Sequence, residues 1–241
     1  NTFLLAVSTA DPVRRSNARE IEITPTALRP GMILSRDLRA INKMVLTRIV
    51  ELAGAEGTHV TVPVQGSGTF AVEAMITSFV PKTGKLLVLI NGAYGQRALK
   101  IAQIAGRATA SLETPEDTPP DLAKLEKMLA GDKAITHVFA VHCETTSGIV
   151  NPIQDMAKMV KDRKRVFMVD AMSSFGALPL DMMDGLDVMV SSSNKCIEGV
   201  PGFSYVLVKR DMLEGSKGRC HSVVLDLHEQ WKGLEANGQF R

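Results

Sequence analysis

The sequence has 241 residues, 45% of them hydrophobic and 22% charged, so it is long enough to bury a sizeable core. A formal net charge of +2 indicates neither a nucleic-acid nor a membrane partner. The longest apolar runs, such as residues 86–90, are far shorter than the roughly 20 residues that cross a bilayer. Three cysteines without CxxC spacing and five histidines without HExxH spacing argue against a disulfide scaffold and a metal site. We therefore expect a soluble, cytoplasmic protein.

The predicted elements begin after an N-terminal segment with no clear pattern. Residues 1–38 carry scattered charges, three prolines and no sustained hydrophobic period, which predicts an irregular arm. From residue 58 onward, short apolar runs alternate with segments of helical period. In chain order they predict strand 58–64, helix 69–80, strand 85–91, helices 94–105 and 121–130, strand 136–142, helix 153–163, strand 165–170, and strands 186–192 and 203–209.

Strands without polar alternation, separated by helices, are typical of a mostly parallel sheet covered by helices on both faces. The sequence therefore predicts an α/β fold of that kind. In such folds ligands bind beyond the carboxyl ends of the strands. Five predicted strand ends carry small, polar or ionisable residues, at positions 65–69, 91–92, 144–146, 170 and 192–195.

The first of these strand ends, Gly66-Ser67-Gly68-Thr69, suits a phosphate group. Glycines allow a close approach to the backbone, and the following helix offers free N–H groups. The same stretch fits the dinucleotide fingerprint GxGxxG/A, which needs an acidic residue at the end of the next strand. That strand ends in Asn91, so a single phosphate is favoured over a dinucleotide. A turn with a purely structural role is the alternative.

Two further strand ends carry charged residues, Asp170 and Lys195. Taken singly, Asp170 also fits a cap of the following turn, and Lys195 also fits an exposed loop. Together with the glycine-rich turn they form the set that pyridoxal phosphate (PLP) requires. A lysine bonds the aldehyde, a carboxylate keeps the ring nitrogen protonated, and a helix terminus binds the phosphate. The sequence therefore predicts a PLP site with Lys195 and Asp170 as catalytic residues.

Five segments resemble motifs of the class V, fold-type I PLP-dependent aminotransferases. Their order and spacing match the family over most of the chain, from about Ile41 to Arg241. They are VQGSGTFAVEA, LINGAYGQRA, HCETTSGIVNPI, VDAMSSFGALPLD and SSNKCIEGVPGF. The chain is most similar to the branch of this family that transfers the amine of 2-aminoethylphosphonate to pyruvate. Alanine–glyoxylate and serine–pyruvate aminotransferases share some of the motifs and stay an alternative.

The resemblance implies a role for each motif residue. Lys195 holds the cofactor and moves the proton, and Asp170 pairs with the pyridine nitrogen. Tyr94 stacks on the cofactor ring, and Thr145 lies near the ring hydroxyl group. The residues implied around the phosphate are Ser67, Gly68, Thr69 and Asn194. Tyr94 also fits a core or interface position, and Thr145 and Asn194 also fit turns or caps.

The resemblance also implies a domain division and partners. Residues 39–241 correspond to the PLP-binding large domain, whereas residues 1–38 form a divergent N-terminal arm that lacks the family's opening motifs. The family's small C-terminal domain, with the arginine that binds the substrate carboxylate, is not expected within this chain. The implied partners are 2-aminoethylphosphonate, pyruvate and a second copy in a homodimer. The remaining alternative is a PLP-binding fragment without catalytic activity.

Overall fold

The computed structural model describes residues 35–238, with side chains from residue 39 onward. The first half of the described chain contains α1 (Ser35–Leu52), β1 (His59–Gln65), α2 (Gly68–Phe79), β2 (Lys85–Ile90), α3 (Ala93–Ile104), β3 (Ala108–Glu113), α4 (Leu122–Gly131) and β4 (Ile135–Val141). The second half contains β5 (Cys143–Glu144), β6 (Ile149–Val150), α5 (Ile153–Asp162), β7 (Val166–Asp170), the 3-10 helix Met182–Asp184, β8 (Val188–Ser192), β9 (Phe203–Lys209), α6 (Arg210–Glu214) and α7 (Leu227–Asn237).

Seven of these strands form one sheet in the order β1-β9-β8-β7-β4-β2-β3. Strand β9 runs antiparallel to both of its neighbours, and the other pairings in this sheet are parallel. The α/β prediction with a mostly parallel sheet is therefore confirmed. The carboxyl ends of β1, β2, β4, β7 and β8 lie at the same edge, where the polar motif residues follow.

The strands are apolar on both faces because each face packs against its own helices. In β2, Leu87 and Leu89 belong to a core shared with α1, α4 and α5, whereas Leu86, Val88 and Ile90 belong to a second core shared with α2, α3 and α7. A sheet buried on both sides requires such near-continuous apolar runs. It also gives the loops at the carboxyl edge a rigid base.

Helix α4 shows how local sequence sets the element boundaries. The side chain of Asp121 accepts hydrogen bonds from the N–H groups of Ala123 and Lys124 at 2.9 and 3.0 Å, which is the expected N-terminal cap. Leu125 and Leu129, four residues apart, are buried on one face. This helix matches the predicted segment 121–130 within one residue at each end.

Some elements differ from the prediction. Helix α1 begins at Ser35, four residues inside the segment expected to be irregular, and residues 1–34 of that segment lie outside the described residues. Strand β3 was not predicted, because this edge strand buries only Leu112 and so has no apolar run. Helices α6 and α7 also follow the last predicted element. No helix in residues 35–238 combines the length and apolar character needed to cross a membrane.

Candidate functional site

A cavity of about 240 Å³ lies at the carboxyl edge of the sheet. All eight predicted site residues line it, namely Ser67, Gly68, Thr69, Tyr94, Thr145, Asp170, Asn194 and Lys195. They lie at the ends of β1, β2, β5, β7 and β8 or in the loops and helix starts that follow, in segments far apart in sequence. The structure thus brings the predicted residues together at one site.

One wall of the cavity is the N-terminus of α2. Ser67 is the N-cap residue, and its side chain makes no capping hydrogen bond. The first N–H groups of a helix have no intrahelical acceptor, so here they are available to an anion. Gly68 has no space for a side chain, because a Cβ atom would lie 2.5 Å from Met172 Sδ. The wall is therefore made of backbone and small polar groups.

Asp170 ends β7 and is 4% exposed. Its Oδ1 accepts a hydrogen bond from the Met172 N–H group at 2.9 Å. Burial, with a smaller contribution from the negative charge of Glu144, raises the pKa of Asp170 to about 6. The Met172 N–H group and the charge of Arg97 act in the opposite direction. A cation in the cavity would favour the charged carboxylate.

Lys195 lies in the loop after β8, and its side chain is exposed. The loop is held by backbone hydrogen bonds from Glu198 N to Lys195 O (2.9 Å) and from Gly199 N to Ser193 O (2.6 Å). Lys195 makes no ion pair with any residue between 39 and 238. Its amine is therefore available to a group that enters the cavity.

Tyr94 and Thr145 also line the cavity. Tyr94, the second residue of α3, is half-buried, and its ring centroid lies 5.0 Å from the guanidinium carbon of Arg97. Thr145, in the hairpin of β5 and β6, donates from Oγ1 to Ser173 Oγ at 3.0 Å. Ser173 Oγ in turn donates to the Cys143 carbonyl at 2.8 Å. These bonds fasten the hairpin to the loop after β7.

Several residues to which the sequence assigns no role also lie in the cavity wall or next to it. Arg97 lines the cavity three residues after Tyr94, a spacing that places both on one helical face and could have identified it. Glu144 is fully buried, and its Oε1 accepts from Thr146 Oγ1 at 2.9 Å. The cavity is further lined by Val72, Ala98, Val141, Cys143, Met172, Ser173 and Ser192.

Asn91, where a dinucleotide site would need an acid, has a structural role. It is buried, and its amide exchanges hydrogen bonds with that of Asn151 at 2.9 and 3.1 Å. Asn151 also donates to the Val141 carbonyl at 2.8 Å. The side chain of Asn91 is thus used inside the protein rather than offered to a ribose.

Known proteins are similar to this chain at the level of sequence. The profile of the aminotransferase class-V family matches residues 32–220. A 2-aminoethylphosphonate–pyruvate transaminase of Pseudomonas aeruginosa is 46% identical over 206 residues, which is 85% of this chain and 56% of that protein. The transaminase of the same name from Cupriavidus taiwanensis is 49% identical over 83% of this chain and 54% of its own length. The chain thus spans about half the length of these relatives.

Solved structures share the fold. Ureidoglycine–glyoxylate aminotransferase from Bacillus subtilis superimposes with a TM-score of 0.77 at 20% identity, over 86% of this chain and 55% of that protein. Aspartate aminotransferase of subgroup IV from Thermus thermophilus gives a TM-score of 0.76 at 23% identity, over 85% of this chain and 57% of that protein. With the profile match and the sequence relatives, this shows that the chain belongs to the class-V family of PLP-dependent aminotransferases.

Proposed function

We propose that this chain is the cofactor-binding part of an enzyme that transfers the amine of 2-aminoethylphosphonate to pyruvate and so produces phosphonoacetaldehyde and L-alanine. One observation carries the proposal: the eight motif residues line a single cavity in a chain 46–49% identical to two transaminases of that name. Because the chain spans about half of those relatives, the proposed turnover is that of the complete protein.

The cavity fits the phosphate end of PLP. Gly68 must lack a side chain here, because the side chain of Met172 occupies the place that a Cβ atom would take. The N–H groups at the start of α2 and the hydroxyl groups of Ser67 and Thr69 supply donors, and the helix dipole favours a negative charge. We assign Asn194, which lines the same cavity, to this end of the cofactor.

The cavity also fits the ring of PLP. When bound, PLP withdraws electrons from the substrate carbon that bears the amine. Asp170 is suited to hold a proton on the ring nitrogen, because its buried carboxylate gains from a cationic partner. We assign Tyr94 to stacking against the ring and Thr145 to the ring hydroxyl group.

Lys195 is the nucleophile and base in this proposal. Its exposed amine makes no ion pair within residues 39–238 and would hold the cofactor through the aldehyde group of PLP, with loss of water. With PLP bound, the amine of Lys195 would also serve as the base that moves the proton of the substrate carbon.

The cofactor assignment is tested by adding PLP to the purified chain and recording visible absorbance. We expect a yellow bound form with the parent chain and its loss in Lys195→Ala. The matched control Lys100→Ala changes an exposed residue of α3 that does not line the cavity, and it should keep the yellow form. Absence of the yellow form from the parent chain, or its persistence in Lys195→Ala, would refute the assignment.

The substrate assignment needs the complete protein. We expect L-alanine to form from 2-aminoethylphosphonate and pyruvate, and much more slowly when serine is the donor or glyoxylate the acceptor. Preference for serine or glyoxylate would refute the phosphonate assignment. Bound PLP without turnover of any of these pairs would indicate a binding protein instead.

We further propose that the complete protein is a homodimer and that it is located in the cytoplasm. Its other partners in this proposal are small-molecule substrates, with no nucleic acid and no membrane. The cytoplasmic proposal is supported by the three cysteines Cys143, Cys196 and Cys220, which are all unpaired in the structure, as expected in a reducing compartment.

A further inference from the structure

Arg97 is placed beside the proposed phosphate position. Of the residues that line the cavity, only Arg97 and Lys195 are cationic. Arg97 Nη1 donates to Thr69 Oγ1 at 3.3 Å, and its guanidinium lies over the Tyr94 ring. These two contacts hold its positive charge next to the first turn of α2.

The guanidinium of Arg97 has no anionic partner within the part of the chain that the structure describes. One N–H group is used by Thr69, and a guanidinium has five donors. Arg97 therefore retains donors and charge for a ligand. Its charge also acts to lower the pKa of Asp170, which lines the same cavity.

The first turn of α2 contains no basic side chain. Ser67, Gly68 and Thr69 offer only N–H and hydroxyl donors, whereas a phosphate monoester carries a charge of about −1.5 to −2 at neutral pH. Lys195, the other cation of the cavity, is assigned to the aldehyde. Arg97 is left as the side chain that can neutralise the phosphate.

We propose that Arg97 is a further cofactor-binding residue, which donates its remaining guanidinium N–H groups to the phosphate of bound PLP while Tyr94 and Thr69 fix its position. The inference rests on the proposed function, because it takes PLP as the ligand of this cavity. A planar guanidinium is better suited than an ammonium group to bidentate binding of phosphate.

The test compares two ligands that lack the aldehyde, pyridoxamine 5′-phosphate and pyridoxamine, by calorimetric titration of the 241-residue chain. We expect Arg97→Met to weaken binding of the phosphorylated ligand about 10- to 100-fold and that of pyridoxamine less than about twofold. Arg97→Lys should give an intermediate loss. Lys100→Met removes a charge from the same helix outside the cavity and should change neither affinity.

Other outcomes overturn the inference. Equal losses for the two ligands would mean that Arg97 acts through Tyr94 or through folding, and no loss would mean that it does not bind the phosphate. Loss of 2-aminoethylphosphonate binding with unchanged pyridoxamine 5′-phosphate binding would assign Arg97 to the substrate. Failure of the parent chain to bind pyridoxamine 5′-phosphate at all would refute both the inference and the PLP assignment.

The same titration separates this inference from the role of Lys195. In Lys195→Ala the dependence of pyridoxamine 5′-phosphate binding on Arg97 should persist, because no bond to the lysine is made. If this dependence is present but PLP gives no yellow form, the assignment of Lys195 fails and that of Arg97 stands.

Discussion

Asp170 is a buried carboxyl group to which the Met172 N–H group donates, and its pKa is raised to about 6. At neutral pH the unliganded protein therefore keeps this group charged at a cost in folding free energy. A protonated pyridine nitrogen would remove that cost. The carboxylate and the cofactor would then stabilise each other, which favours a tightly held ring.

The variant Asp170→Asn should therefore be more stable than the parent chain when no ligand is bound. Between the ordinary pKa of 3.8 and the folded pKa of about 6, the folded state binds more protons than the unfolded state, so parent stability falls as pH rises. We expect Asp170→Asn to add on the order of 1–3 kcal/mol near neutral pH and almost nothing at pH values below this window.

Urea unfolding of both proteins across this pH range measures the difference. A constant difference at all pH values would show that titration of Asp170 is not its cause. The same variant should bind PLP more weakly, because the amide cannot pair with a ring cation.

Among the elements, the hairpin of β5 and β6 links the two sides of the cavity. Glu144 packs against Gly92 at the start of α3, where a Cβ atom would lie 2.3 Å from Glu144 Cγ. Thr145, the next residue, is bonded to Ser173 in the loop after β7. The contact between the Gly92 backbone and the Glu144 side chain thus couples the position of Tyr94 to that of Thr145.

Gly92→Ala should separate α3 from the hairpin and so weaken PLP binding. We expect a loss of about 1–3 kcal/mol in stability, as for other overpacked sites, and a weaker cofactor affinity. Glu144→Ala in the same chain removes the obstructing atoms and should recover part of both losses, giving a non-additive double-mutant cycle.

Gly131→Ala in α4 is the matched control, because its added Cβ atom meets nothing within 4 Å. It should leave stability unchanged or slightly increased. Unfolding and PLP titration of the four proteins of the cycle give both quantities. Strict additivity would contradict the proposed contact.

The elements that were predictable from sequence are those with strong periodicity. Val138 to Val141 in β4 are buried on both faces and therefore form an apolar run, and Asp170 and Lys195 could be placed at one edge because parallel strands end together. The contact of Arg97 with Thr69 was not predictable, since it depends on how α3 packs beside α2. The contact of Glu144 with Gly92 likewise joins segments whose distance no sequence pattern reveals.

For the molecule as a whole, cofactor binding should raise the free energy of unfolding. A ligand that binds only the folded state raises it by about 2.7 kcal/mol when the free ligand concentration is 100 times Kd. For a chain of this size, that increase corresponds to a rise of roughly 5–10 °C in Tm. We expect PLP to raise Tm by this amount in thermal scans and Lys195→Ala to reduce the shift. Equal shifts with PLP and with pyridoxal, which lacks the phosphate, would contradict the assigned role of Ser67, Gly68 and Thr69.

Strand β1 is the edge strand beside β9 in the described sheet, and the Ser204 hydroxyl that bonds the Val64 carbonyl lies 140 residues further along the chain. Contacts between such distant segments form slowly, because a long loop must close before they stabilise the chain. During synthesis, β1 leaves the ribosome long before β9 exists. Ser67, Gly68 and Thr69 follow β1 directly, so we expect the wall that we assign to the phosphate to reach its final position only after β9 has been made. We therefore expect cofactor capture to complete the folding of this domain rather than to begin it.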